Sequence, residues 1–194
     1  MSTSIEVQLR HGAQWLPKIT SDDFLSSRGL GNEIAFYIFD YPPQQELRVR
    51  DHVRFLLEQI PRLKPDLRVA HVNLFDLVID HLKDRKLLER SFQMQCEKGD
   101  AALEKALNSP LKAEKLAQIF VDFVDPAEQD LVLVSGVGSV WPLVRTHTLL
   151  SNLHPVMKST PLVMFYPGKY DGQTIQPFGR IKSKNYYRAF RLAP

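Results

Sequence analysis

Three features of the sequence predict an α/β fold with a mostly parallel central sheet. Short runs that are apolar on both faces recur at Ile34–Phe39, Leu67–Val72, Leu131–Val134 and Pro161–Tyr166. Amphipathic segments of helical length lie between them. Glycine- or proline-rich turns mark the junctions. Uniformly apolar strands are covered on both sides, and strands joined by helices pair in parallel through right-handed crossovers. Helices on both faces of the sheet follow, a Rossmann-like arrangement. At 194 residues the chain suits one domain over 1–194, with a helical adaptor segment over 1–32 and the sheet-containing core over 33–194.

Taken in order, Ile5, Leu9 and Trp15-Leu16 suit a short amphipathic helix ending near Pro17. Ser21-Asp22-Asp23 offers a cap, and Arg28-Gly29-Leu30-Gly31-Asn32 a flexible connection. The first strand ends in Asp40-Tyr41-Pro42-Pro43, where proline stops the strand and can open a helix. Val49, Val53, Leu56, Leu57 and Ile60 then form one apolar face of a helix over Gln44 to Ile60, with Pro61 and Pro65 bracketing the next turn. Asn73 is placed to cap the helix after the second strand, with Asp76 in its first turn. Phe75, Val78, Ile79 and Leu82 are its expected buried face, and the helix extends toward Lys98, where Gly99 stops it. A short helix over Ala101 to Leu107 and a cap at Ser109-Pro110 follow. The next helix has Ala113, Leu116, Ala117, Phe120, Phe123 and Val124 on its buried side.

The third strand leads through Ser135-Gly136-Val137-Gly138-Ser139 into a helix over Trp141 to Leu153. The fourth runs into the loop Pro167-Gly168-Lys169-Tyr170-Asp171-Gly172. Alternation from Tyr186 to Leu192 suggests a last strand, antiparallel and at an edge, and the expected order of the others is 2-1-3-4. In such a sheet, ligands and partners meet the loops after the strand C-termini, which here carry both glycine turns.

Composition is that of a folded soluble protein, with 44% hydrophobic and 24% charged residues. No apolar run approaches the ~20 residues that cross a bilayer, so no membrane association is expected. The polar N-terminus lacks a signal peptide's apolar stretch, and a cytoplasmic location is expected. A single cysteine, Cys96, excludes an intrachain disulfide. Charge is segregated: from Arg145 onward eight cationic residues face one acid, Asp171, while the preceding residues hold 17 cations and 21 acids. A tail of +7 suggests an acidic partner, a phosphate or a nucleic acid near the C-terminal part.

Complete catalytic groupings are missing. Gly136-Val137-Gly138 has the setting of a dinucleotide turn, but the third glycine position of G-x-G-x-x-G is Trp141, and no G-x-x-x-x-G-K-[ST] P-loop occurs. Gly136, Gly138 and Ser139 remain a possible anion-binding turn, though a tight strand-to-helix connection is the favoured explanation of the glycines. The six histidines show no metal spacing, and His71 within a strand reads as a hydrogen-bonded core residue. Ser135 and Ser139 lack a G-x-S-x-G context. Asp40 ends a strand where α/β enzymes often place a carboxylate, and Glu33, Asp40 and Asp171 would form an acidic group only if their loops converged. No cofactor is implied.

The tail is more suggestive. Tyr166, Tyr170, Phe178, Tyr186, Tyr187 and Phe190 alternate with Lys169, Arg180, Lys182, Lys184, Arg188 and Arg191. Aromatics with arginines build protein interfaces and also stack on nucleic-acid bases. The modest net charge of +3 favours a protein interface, with Tyr166, Lys169, Tyr170, Arg180, Tyr186, Tyr187 and Arg188 as its candidate residues.

Three blocks in this region carry a resemblance. They are Gly29-Leu30-Gly31-Asn32-Glu33 with Phe36-Tyr37-Ile38-Phe39-Asp40-Tyr41-Pro42-Pro43; Gly136-Val137-Gly138-Ser139 through Arg145-Thr146-His147-Thr148-Leu149-Leu150 to Leu153-His154-Pro155-Val156; and Phe165-Tyr166-Pro167-Gly168-Lys169-Tyr170-Asp171-Gly172 with Phe178-Gly179-Arg180 and Asn185-Tyr186-Tyr187-Arg188-Ala189-Phe190-Arg191. Over residues 29–192 the chain resembles the BrxB family of the BREX (bacteriophage exclusion) phage-defence systems. The resemblance implies a role beside an adenine-specific DNA methyltransferase, a large ATPase and the alkaline-phosphatase-like PglZ. It transfers no catalytic residue. It favours a non-enzymatic adaptor that binds another BREX protein, most plausibly PglZ. The alternatives are a nucleic-acid-binding subunit using Lys169, Arg180, Lys182, Lys184 and Arg188, reaching DNA directly or through the complex, and a phosphate-handling enzyme with Asp40 or Asp171 on a metal.

Overall fold

A computed structural model describes residues 12–26, 35–181 and 189–192. Its parallel sheet has the order β2-β3-β4-β1-β6, with β5 paired to β4. Two helices, α1 (Gly12–Ile19) and α2 (Asp22–Leu25), precede β1 (Phe36–Tyr41). A single turn over Pro43–Gln45 leads into α3 (Glu46–Leu63), then β2 (Val69–Asn73). Four helices fill the next crossover: α4 (Leu74–Asp84), α5 (Leu88–Lys98), α6 (Asp100–Leu107) and α7 (Ala113–Val124). Then come β3 (Leu131–Ser135), α8 (Thr146–Met157), β4 (Leu162–Tyr170), β5 (Ile175–Pro177) and β6 (Phe190–Arg191).

Alternate residues of each strand feed two separate cores, as a pleated strand requires. Phe36, Ile38, Val132, Val134, Leu162 and Met164 pack with α4, α7 and α8. On the other face Phe39, Tyr41, Leu131, Leu133, Val163 and Phe165 pack with α1, α2 and α3. The division follows from the direction of travel. From β1 the chain crosses by α3 to β2 at the far edge and then returns through β3 to β4. Right-handed crossovers in opposite directions place their helices on opposite faces.

The expected order 2-1-3-4 is therefore corrected: β1 pairs with β4, Phe36 opposite Leu162 through Tyr41 opposite Pro167, and not with β2 or β3. Apolar strands of similar length carry no mark of their neighbours. Burial reveals the arrangement, since β4 is almost wholly buried and β2 is mostly half-exposed, as central and edge strands should be. The last strand lies at the edge, as expected, but it is parallel to β1. A connection of about a dozen residues after β5 is long enough to bring the chain round for parallel pairing. The antiparallel strand is β5, which returns along β4 beyond Gly168.

Several helix boundaries also move. Trp141 is extended (φ −74°, ψ 140°), the conformation favoured before proline, so α8 begins at Thr146 and not at Trp141. Helix α3 continues through Pro61 to Leu63. The stretch expected to run from Asn73 to Lys98 divides at Arg85–Leu87. On α4 the buried residues are Leu74, Leu77, Val78 and Leu82, while Phe75 is exposed; on α7 Phe123 is exposed. Ser109-Pro110 does not cap α7, whose N-cap is Lys112. Asn73 does cap α4, accepting from Phe75 N at 3.1 Å, and Ser21 caps α2. The expectations for Ile5, Leu9, residues 28–32, Glu33, Lys182, Lys184, Tyr186, Tyr187 and Arg188 lie outside the described residues.

Candidate functional site

The C-terminal ends of β1, β3 and β4 meet at one edge, and the first question there is whether a reactive group is free. Asp40, one residue from the end of β1, has a side chain only 7% exposed. Arg191 donates to it from Nε at 2.9 Å and from Nη2 at 3.2 Å, and Tyr170 N–H adds a third bond at 3.2 Å. Both carboxylate oxygens are thereby engaged. The pairing of Ile38 with Arg191 brings the guanidinium into place. Tyr170, itself buried, holds the same segment: its hydroxyl donates to Ala189 O at 2.7 Å and accepts from Ala189 N at 3.0 Å. Asp40 and Tyr170 thus fasten β6 to the sheet.

Asp171 is committed locally. Its carboxylate accepts from Gln173 N, Thr174 N and Thr174 Oγ1 at 2.6 to 2.9 Å, and these bonds hold its pKa below the ordinary aspartate value. Among the described residues no cluster of three or more histidine, cysteine or acidic side chains is arranged to hold a metal.

The turn after β3 is closely packed. Gly136 is left-handed (φ +71°), and a Cβ there would fall 1.9 Å from Asn73 Oδ1, the atom capping α4. A Cβ on Gly138 would come within 2.6 Å of Pro167 Cγ. Ser139 N–H donates to Gly136 O, and Trp141 N–H to Gly138 O. Close approach of chain segments accounts for both glycines. The sequence also hid a contact between His71 Nε2 and Ser135 Oγ, 2.9 Å apart on neighbouring strands. Burial lowers the His71 pKa, and the charge of Asp76 opposes that shift.

What stays open at this edge is aromatic and basic. Trp141 is 44% exposed and meets Phe178 edge-on at 5.6 Å. Phe178 has φ +54°, a left-handed conformation that is unfavourable for a bulky residue. The turn holding it is tied down: Phe178 N–H donates to Pro167 O, Gly179 N–H to Gln176 O and Arg180 N–H to Pro177 O. Lys169, Arg180 and Ile181 are exposed along the same rim, and the Lys169 side chain lies 3.8 Å from the Cβ position of Gly179.

Of the candidate interface residues, Lys169 and Arg180 therefore reach the surface, whereas Tyr166 and Tyr170 are each 2% exposed and are taken off it by packing. Burial also pushes the Tyr166 phenol pKa up. Trp141 was not anticipated. Its only sequence signal is a tryptophan just beyond a strand-terminal turn.

A hollow of about 1,100 Å³ opens at the opposite edge, before β2, β3 and β4. Ion pairs occupy part of its lining, Lys64 with Asp22 and Arg68 with Asp130, and Asp66, Asp125 and Lys158 line it as well. The rim, whose cations and aromatics stay open, is the better candidate. No helix among the described residues is long and apolar enough to cross a membrane.

Comparison with known proteins agrees with the resemblance. The family model described as "BREX protein BrxB" matches residues 70–192. A curated "BREX protein BrxB" of Escherichia coli O9:H4 (strain HS) is 48% identical over 177 residues, covering 91% of this chain and 87% of that protein. One of the same description from Bacillus cereus (strain H3081.97) is 43% identical over 183 residues, covering 91% of this chain and 93% of that protein. No solved structure matches significantly. With a family model spanning most of the chain and relatives of this identity, the chain belongs to the BrxB family of BREX proteins.

Proposed function

We propose that this chain, a component of BREX phage defence, is a non-enzymatic adaptor whose aromatic, basic rim docks onto another BREX protein. The observation that carries the reading is the exposed Trp141, paired with Phe178 and flanked by Lys169, Arg180 and Ile181. Tryptophan and arginine are the residues most enriched among interface hot spots, and a rigid aromatic loses little entropy on binding. The carboxylates that a hydrolytic or metal-dependent reading would use, Asp40 and Asp171, are already bonded. PglZ is the partner of choice because of its place beside this family, with the methyltransferase and ATPase as the other candidates. Docking would help assemble the complex for host DNA methylation and phage restriction, in the cytoplasm.

Co-purification of tagged protein with each BREX component tests the adaptor reading. Recovery of PglZ with the natural chain, and its loss with Trp141→Ala/Arg180→Glu, is the expected result. Recovery of no component refutes it. The basic rim also gives a second reading, direct binding of nucleic acid. Counterion release then requires affinity to fall steeply with salt, and a mobility shift unaffected by Lys169→Ala/Arg180→Ala dismisses it.

A further inference from the structure

The crossover from β2 to β3 joins adjacent parallel strands, a task for which one helix suffices. This chain uses four. Helices α4 and α7 supply that crossover's contribution to the core, burying Leu74, Leu77, Val78, Leu82, Leu116, Ala117, Phe120 and Val124. Helices α5 and α6 bury only Ser91 and Leu107. Leu88 and Leu103 pack half-buried against the same core, and the two helices build a hollow of about 380 Å³ against the start of α7.

The chemistry of that hollow is uneven. Leu87, Met94 and Leu103 give it apolar walls. Arg85, Arg90 and Lys115 line it as well, and no acidic side chain does so among the described residues. Lys115 Nζ donates to Ser109 O at 3.1 Å. Neither Arg85 nor Arg90 has an ion-pair partner among the described residues, although the chain elsewhere pairs Arg50, Arg54, Arg68 and Arg191 with carboxylates. Three cations around an apolar recess repel one another until an anion joins them.

We propose that the α5–α6 insertion is a second docking surface that receives an acidic protein segment. One large apolar side chain of the segment enters between Leu87, Met94 and Leu103. Its flanking carboxylates meet Arg85, Arg90 and Lys115. The apolar recess calls for a side chain, while cations from three separate helix ends call for several carboxylates spaced along a segment. Two separate surfaces, this one and the rim, would let the protein bridge two partners. The inference rests on the reading of the chain as part of a BREX assembly.

The test uses the intact chain co-expressed with the other BREX components. A photocrosslinker is placed in the hollow as Met94→p-benzoylphenylalanine and, separately, on the rim as Trp141→p-benzoylphenylalanine, and the crosslinked peptides are sequenced by mass spectrometry. The expected product from the hollow is a peptide rich in Asp and Glu around a Leu, Phe or Met. Arg85→Glu/Arg90→Glu should reduce its yield about tenfold or more, as expected when charges facing carboxylates are reversed, with the melting temperature unchanged. A neutral or basic peptide, or a yield indifferent to the reversal, overturns the proposal. So does a silent hollow beside a productive rim, which leaves the adaptor reading standing. Silence at both positions removes the two together.

Discussion

Tyr170→Phe isolates the bonds that hold the C-terminal segment to the sheet. The ring stays, so packing against Ile175 and the sheet is preserved, and only the hydroxyl is removed. That hydroxyl bonds both polar groups of Ala189, a residue 8% exposed. Deletion leaves a buried N–H and a buried carbonyl without this partner, each costing ~1–3 kcal/mol if water cannot reach it. Partial loosening of an edge strand admits some water, which places the expected loss near 2–3 kcal/mol. For a chain of this size that lowers the melting temperature by about 5–10 °C. Circular dichroism gives the melt. Hydrogen exchange gives the location, since Leu192 N–H donates to Ile38 O and should lose protection well before amides of β3 and β4. An unchanged melt together with full protection of Leu192 would refute the argument.

Gly136→Ala should cost about 2–3 kcal/mol in chemical denaturation, combining left-handed strain with displacement of the Asn73 cap; Asn73→Ala alone should cost ~1 kcal/mol. A Gly136→Ala effect no larger than that of Asn73→Ala would mean the new methyl group is accommodated. Trp141→Ala should weaken partner binding by ~2 kcal/mol, about thirtyfold in calorimetric titration, with little change in melting. His52 is buried, and burial lowers its pKa below the ordinary 6.5. Its unfolded form therefore takes up a proton as pH falls through 6.5 while the folded form resists, so stability drops on acidification below that point. His52→Phe should flatten this slope in denaturation series across pH 5–7, and an unchanged slope would assign it to other groups.

The layers of the fold were legible because strand and helix periods differ. Val49, Val53, Leu56 and Ile60 face one core as their spacing requires, and Asn73 caps as its side chain permits. Pairing was not legible, because β1, β3 and β4 are interchangeable as apolar strands and only their packing selects neighbours. The helix faces differ from expectation at Phe75 and Phe123, because hydrophobicity alone does not require burial and folded proteins expose much apolar surface. At the candidate site, Lys169 and Arg180, singled out by their charge, are exposed, whereas Tyr166 and Tyr170 are buried. A buried tyrosine looks the same in sequence as a surface one; what distinguishes Tyr170 is Ala189, 19 residues away. The exposure of Trp141 is not legible because its surroundings read as helical, whereas the helix starts at Thr146.

The position of β1 between β4 and β6 bears on how the protein is made. A ribosome delivers Phe36–Tyr41 early, yet both neighbours of that strand come from the last third of the chain. During synthesis β2 and β3 can zip together as they emerge, but β1 must wait with both edges bare until Leu162–Tyr170 has cleared the exit tunnel. A nascent chain stalled before that point exposes a sticky apolar ribbon, and Phe190–Arg191, which emerges later still, seals its other edge.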